Sequence, residues 1–178
     1  MTAISADEAR ALRMAALLVS PRPDALDTPT DVDGVVTHLG AMQAQDNASG
    51  LWSLGLRLGG ATQAEVTQAL EERTVLRAWP MRGTVHLVPA RDTHWMLDLT
   101  GVRALSGAAK RRQYLGLPDD VAERAVEIVG EQLSGGGRRT RALLLAAIAD
   151  AGVPITNNLG YHLLWYASQR GEIGRAHV

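Results

Sequence analysis

Val75-Leu76-Arg77-Ala78-Trp79-Pro80-Met81-Arg82-Gly83-Thr84-Val85-His86-Leu87-Val88 is the stretch on which the fold turns. Two β-leaning runs flank Trp79-Pro80-Met81-Arg82-Gly83, and Thr84, His86 and Val88 alternate with Val85 and Leu87 as the two faces of a strand do. The pattern predicts a two-stranded hairpin interrupted at the Pro and Gly.

Upstream, the periodicity is helical. Ser5 and Glu8 form a capping-box pattern, after which Leu12, Ala15, Ala16 and Val19 predict a first helix, stopped by Ser20-Pro21-Arg22-Pro23. Thr28-Pro29-Thr30-Asp31 caps a second, with Val32, Val35, Val36 and Leu39 on one face up to Gly40. A third segment is expected to be helical near 47–54 and then extended through Leu56 and Leu58, and a short helix spans 62–70. Short helices followed by a hairpin predict a winged helix-turn-helix.

Downstream, 91–99 and 102–114 read as two helices, the second ending in Lys110-Arg111-Arg112. Pro118 and Asp119 open an amphipathic helix with Ala122, Ala125, Val126, Val129 and Leu133 on one stripe, ended by Ser134-Gly135-Gly136-Gly137. Thr140 caps the next, with Leu144, Ala147, Ile148 and Ala151 inward, and Gly152-Val153-Pro154 turns the chain into a last helix over 157–170. The fold class expected is mainly α with small β-hairpins (α+β), a tandem winged helix-turn-helix whose second wing is truncated. The expected divisions are a first unit over 1–90, connecting helices over 91–118, and an incomplete second unit over 119–171.

The 178 residues, 46% of them hydrophobic, suffice for an ordinary buried core. Phenylalanine is absent, so Leu, Val, Ala and the four tryptophans must fill it, and Trp79 and Trp95 are expected inside. Without cysteine, disulfides and thiolate zinc sites are excluded. Nothing resembles a signal peptide or a run of 18 apolar residues, so a cytoplasmic location is the default expectation. The net charge of −1 exerts no bulk pull toward nucleic acid, although 17 of the 18 basic residues are arginine, the residue suited to phosphate forks.

The search for chemistry narrows quickly. His38, His86, His94 and His162 show no paired ligand spacing, so no metal or other cofactor is expected. Ser49 and Ser106 lie in no nucleophile elbow, and Gly135-Gly136-Gly137-Arg138 lacks the lysine of a P-loop. Arg138, Arg139 and Arg141 bracket a helix start, where guanidinium groups could meet phosphates or be merely solvated. Asn157, Asn158, Tyr161, His162 and Gln169 are expected on the outer side of the last helix, where they could read bases or, in part, cap it. Arg82, Thr84 and His86 share one face of the hairpin, to contact DNA or to brace the segment before it.

That segment, Met42-Gln43-Ala44-Gln45-Asp46, places two glutamines one residue apart. In extended backbone such side chains point the same way, so two amides converge, each with an acceptor oxygen and donor hydrogens. Such a pair can hold a water; polar helix-end residues would look the same.

The chain ends Glu172-Ile173-Gly174-Arg175-Ala176-His177-Val178, which resembles the translation of a common sequencing adapter. Residues 172–178 are therefore expected to be an artefact, and His177 to carry no function.

The string from Arg77 to Ala90, taken with Leu39-Gly40-Ala41-Met42-Gln43-Ala44-Gln45, resembles the winged-helix DNA glycosylases of the AlkZ/YcaQ type. The resemblance runs from Ser5 to Gly171. It implies hydrolysis of the N-glycosidic bond of alkylated bases, particularly N7-alkylguanine, in double-stranded DNA, with unhooking of interstrand crosslinks in some members. The family signature is Gln-x-Gln or Gln-x-Asp, and Gln43 and Gln45 occupy its two polar positions as the catalytic pair implied. Members of this family are roughly twice as long, so the chain is expected to be an inactive N-terminal fragment with weak DNA affinity. The alternative function is a non-catalytic winged-helix DNA-binding protein, such as a transcriptional regulator.

Overall fold

The computed structural model describes residues 4–20 and 28–173. The proline stop at 21–23 and the last five residues, 174–178, lie outside them. The protein is mainly helical, with one three-stranded antiparallel sheet in the order β1-β3-β2. Helix α1 spans Ala6–Ala16, α2 Val32–Leu39, β1 Met42–Gln43, α3 Asn47–Arg57 and α4 Gln63–Glu71. The hairpin is β2 Val75–Met81 and β3 Thr84–Pro89, after which come α5 Thr93–Leu115, α6 Asp119–Leu133, α7 Arg141–Asp150 and α8 Leu159–Gln169.

Local sequence sets most helix starts. Ser5 with Glu8 and Thr62 with Glu65 close capping boxes on α1 and α4, while Asp31, Asp46 and Thr140 each accept an amide hydrogen as N-caps of α2, α3 and α7. The stripe predicted on α1 is not covered by any described residue: the helix buries none of its residues, and Leu12 and Leu17 are exposed. Its contact with the body is made by Leu18, which is buried, and by His38 Nε2, which donates to Ala16 O at 2.8 Å.

Helix α3 does not become extended after Leu54. Leu51, Leu54 and Leu58 fall at helical spacing on the inner face and Leu56 on the outer, so the apparent alternation is a helix seen at every second residue. In the hairpin the interruption is shorter than expected. Trp79, Pro80 and Met81 belong to β2, where a register irregularity between Ala78 and Met81 on this edge strand accommodates the proline, leaving Arg82-Gly83 as the turn. The region 93–115 is one helix rather than two: Gly101 is buried against Gln169 of α8 and admits close packing there without a break. Trp95 is half-exposed on α5, its indole N–H donating to Asp92 at 2.9 Å, so the expectation of a core tryptophan holds for Trp79 alone of the two.

Two apolar clusters form. One joins Val32, Val35 and Val36 of α2, Leu51 and Leu54 of α3, Val66 and Leu70 of α4, and Met42, Val75 and Leu87 of the sheet. The other joins Ala122, Ala125 and Val129 of α6, Ile148 of α7 and Leu163, Tyr166 and Ala167 of α8. Between them, Gln169 Nε2 donates to Trp79 O at 2.7 Å, Arg73 to Gly136 O at 2.8 Å, and Arg138 to Glu71 Oε2 at 2.9 Å. At the tail, Ile173 packs on the second cluster and its carbonyl accepts from Ser168 Oγ at 3.1 Å.

Candidate functional site

Strand β1 ends where the first glutamine stands. Met42 pairs with Leu87 and Gln43 with His86 across the ladder, and Ala44 N–H continues the pairing by donating to Val85 O at 2.9 Å. Met42 and Ala44 are buried while Gln43 and Gln45 are exposed, so the extended backbone sends both amides outward together, as the two-residue spacing requires. Asp46 then starts α3, its carboxylate accepting from Ser49 N–H at 2.8 Å. Those Ser49 hydrogen bonds, and to a lesser extent the nearby Arg77 cation, hold the Asp46 carboxyl below its ordinary pKa. Behind the segment, Gly50 of α3 is a packing requirement: a Cβ there would lie 2.9 Å from Ala44 Cβ.

The two amides are not equivalent. Gln45 Oε1 accepts the Val85 N–H at 3.1 Å. Only an amide oxygen can take that hydrogen, and the Gln45 NH₂ makes no hydrogen bond to a described residue. Gln43 makes no hydrogen bond to a described residue and keeps its full set of donors and acceptors. Beside it, His86 is buried, and its Nδ1 lies 2.8 Å from Thr84 O. A carbonyl can only accept, so Nδ1 carries the hydrogen of this bond.

Arg77 is the residue whose part in this arrangement the sequence reading missed. It pairs with Leu87, which pairs with Met42, so all three side chains share the core-facing side of the sheet, and Arg77 is 3% exposed. Its Nη2 donates to Ala44 O at 2.8 Å, between the glutamines, while Nε and Nη1 are buried without a partner among the described residues. The detectable signal is a charge two residues from Val75, on the apolar face of a β-leaning run.

The other expected contacts are distributed elsewhere. Arg82 is exposed at the hairpin turn with φ 52, and Thr84 Oγ1 closes the hairpin by donating to Met81 O at 3.0 Å. Arg138 is tied to Glu71, Arg139 to Gln132 and to Arg138 O, and Arg141 lies over the Tyr161 ring at 5.8 Å. These three arginines border a cleft of about 850 Å³, walled by Leu76, Trp79, Tyr161 and Trp165, that does not reach Gln43 or Gln45. Asn158 is exposed in the left-handed conformation at φ 68, directly before α8.

His162 and Gln169 are not on the outer side of α8, as the sequence suggested. Both are buried, because α8 packs against α5, α6 and β2 and so has more than one covered face. Burial, with Arg112 and Arg111 adding to it, lowers the His162 pKa below 6.5. A neutral, enclosed imidazole cannot read a base edge from this position. The described residues contain no cluster of three or more His, Asp or Glu side chains that could hold a metal, and no helix long and apolar enough to cross a membrane.

What the exposed pair can do is restricted by its functional groups. Amides have no useful pKa near neutrality, so they can orient and polarise a bound water but not remove its proton as a strong base would. A family model described as DNA glycosylase AlkZ-like matches residues 36–178, which includes both glutamines and the whole sheet. Among solved structures, the Streptomyces sahachiroi DNA glycosylase AlkZ is similar at a TM-score of 0.71 and 20% sequence identity, over 97% of this chain and 46% of that one. The chain thus spans about half the length of that structure. No curated protein matches the sequence.

Proposed function

Because the chain belongs to the AlkZ-like DNA glycosylase family, we propose that Gln43 and Gln45 are the water-positioning pair of a glycosylase acting on alkylated bases, N7-alkylguanine above all. The observation that carries the reading is the geometry of the pair: two exposed amides, side by side at the end of β1, one of them anchored to the hairpin. The order of helix, strand, two helices and hairpin in 32–89 is also that of a winged helix-turn-helix, which supports a DNA partner.

The substrate's own charge explains why amides suffice. Alkylation at N7 makes guanine cationic, so the base departs without a strong general acid and the sugar develops oxocarbenium character. What remains is to place a water against the sugar carbon and to stabilise the charge that develops there. Gln43, whose oxygen is unengaged, accepts a hydrogen of that water. Gln45, whose oxygen is held by Val85, donates from its NH₂ to the water's lone pair. Together they leave the second lone pair of the water directed at the sugar carbon: the C–N electron pair departs with the base, which becomes neutral, the water oxygen forms the new C–O bond, and its surplus proton passes to solvent. The same chemistry admits larger N7 adducts, including one arm of an interstrand crosslink, provided the base need not enter a closed pocket.

The test is release of free base from duplex DNA carrying N7-methylguanine, measured for this chain. Release that falls at least tenfold in Gln43→Ala and in Gln45→Ala supports the assignment. Equal release by both variants and the parent would refute it. Sequence-preferring binding with no base release would instead favour a regulator.

A further inference from the structure

We infer that Arg77 is a positioning residue for the glutamine pair, a buried cation retained for the geometry of residues 44–46 and not for stability. The inference rests on the glycosylase reading above for its functional consequence, and on the arrangement around Ala44 for its physical basis.

Arg77 is in an unfavourable place. It is 3% exposed on the face that carries Val75, Leu87 and Met42, and two of its guanidinium nitrogens have no hydrogen-bond partner among the described residues. A buried donor without an acceptor is destabilising, and a buried charge more so. Burial accordingly pulls the Arg77 pKa down, offset in part by the Asp46 carboxylate. An uncharged chain of similar volume would fill this apolar position better.

What the guanidinium does instead is grip Ala44 O at 2.8 Å, a charge-assisted hydrogen bond to the Ala44–Gln45 peptide, the second of the two peptide groups that link the glutamines. The Ala44 N–H is already fixed to Val85 O, so Ala44 is held at both its polar groups. A trans peptide sets its carbonyl and N–H on opposite sides, so drawing Ala44 O inward turns the Gln45 N–H outward. Arg77 and Val85 therefore set the direction of Gln45 from two sides, the first through its backbone and the second through its side-chain oxygen.

This assignment separates rate from stability, which a structural role would not. Arg77→Met keeps the length and removes the charge and the donor. The expected result is an unchanged or raised Tm, unchanged DNA affinity, and base release slowed by about 10²-fold in single turnover, the loss that a small misplacement of a catalytic group produces. Arg77→Lys, which can offer one N–H to Ala44 O, is expected to recover part of that rate. Arg77→Met with wild-type release would overturn the proposal, as would a variant that fails to fold or whose Tm and rate fall together. Hydrogen exchange of the Ala44 amide, which donates to Val85 O, gives a readout independent of activity: faster exchange in Arg77→Met supports positioning, and unchanged exchange overturns it. If the parent releases no base, or Gln43→Ala and Gln45→Ala release it as fast as the parent, the glycosylase reading fails on its own while the exchange measurement still decides the position of residues 44–46.

Discussion

At the scale of single residues, Gln43 and Gln45 share a face but not a set of obligations. The Gln45 oxygen satisfies a strand amide, so Gln45→Ala removes a hydrogen bond as well as a candidate catalytic group. We expect it to lose about 1 kcal/mol of stability, seen as a lower urea midpoint, together with base release. Gln43 is exposed and makes no hydrogen bond to a described residue, so Gln43→Ala is expected to leave the urea midpoint unchanged and lower release alone. A midpoint shift in Gln43→Ala equal to that in Gln45→Ala would contradict the division of roles. The neighbours are legible to different degrees. Two glutamines spaced two apart could be read from the sequence as one outward pair, because the period of an extended strand is fixed by the backbone. Nothing in that spacing shows which oxygen is already occupied, since the donor, Val85, is 40 residues away.

At the scale of elements, the motif is the joint between a two-residue strand and a helix, and both sides of the joint are constrained. Asp46 caps α3, and replacing it with Ala is expected to destabilise the fold, seen as a lower Tm. Its carboxyl has a lowered folded pKa, so its contribution is present above the unfolded value of 3.8 and is lost as pH falls through the folded value. Thermal denaturation of Asp46→Ala against the parent should therefore differ near neutral pH and converge in strong acid. Gly50 is the other constraint. A methyl group 2.9 Å from Ala44 Cβ forces α3 away from β1, so Gly50→Ala is expected to destabilise by roughly 1–3 kcal/mol and to slow base release although it touches no substrate. Wild-type release by Gly50→Ala would show that the seat of Ala44 tolerates that displacement. The caps of α1, α2 and α7 and the stripes of α2 and α6 were read from sequence, because they depend on neighbours within four residues, whereas the α1 stripe buries nothing and Ala151 after α7 is exposed. The extended tail given to α3 and the break given to α5 were not, because an apolar residue at every second place and a Gly in mid-helix have their meaning fixed by what packs against them.

At the scale of the whole molecule, α8 is the element that joins the two apolar clusters, lying against α6 on one side and against α5 and β2 on the other. This explains why His162 lies inside, its ring against Trp165 and Tyr166, with Nε2 buried and unpartnered. Because burial lowers its folded pKa, the unfolded chain takes up a proton near pH 6.5 before the folded protein does. The stabilising effect of a neutral His162 is thus complete above that pH and is lost as pH falls below it. His162→Phe, which keeps a flat apolar ring and cannot titrate, is expected to flatten the dependence of Tm on pH between about 7 and 5. An unchanged slope would place that dependence on another group. By itself the sequence determined the helices, the hairpin and the family signature, because capping, periodicity and a short motif are local in the chain. Only the tertiary structure decided that α8 has several covered faces, that Arg138 is held by Glu71, and that Arg77 grips the peptide between the two glutamines. Each of those depends on which distant group fills the space around a side chain, and burial of a charge or an amide takes its energy from that partner and not from its neighbours in sequence.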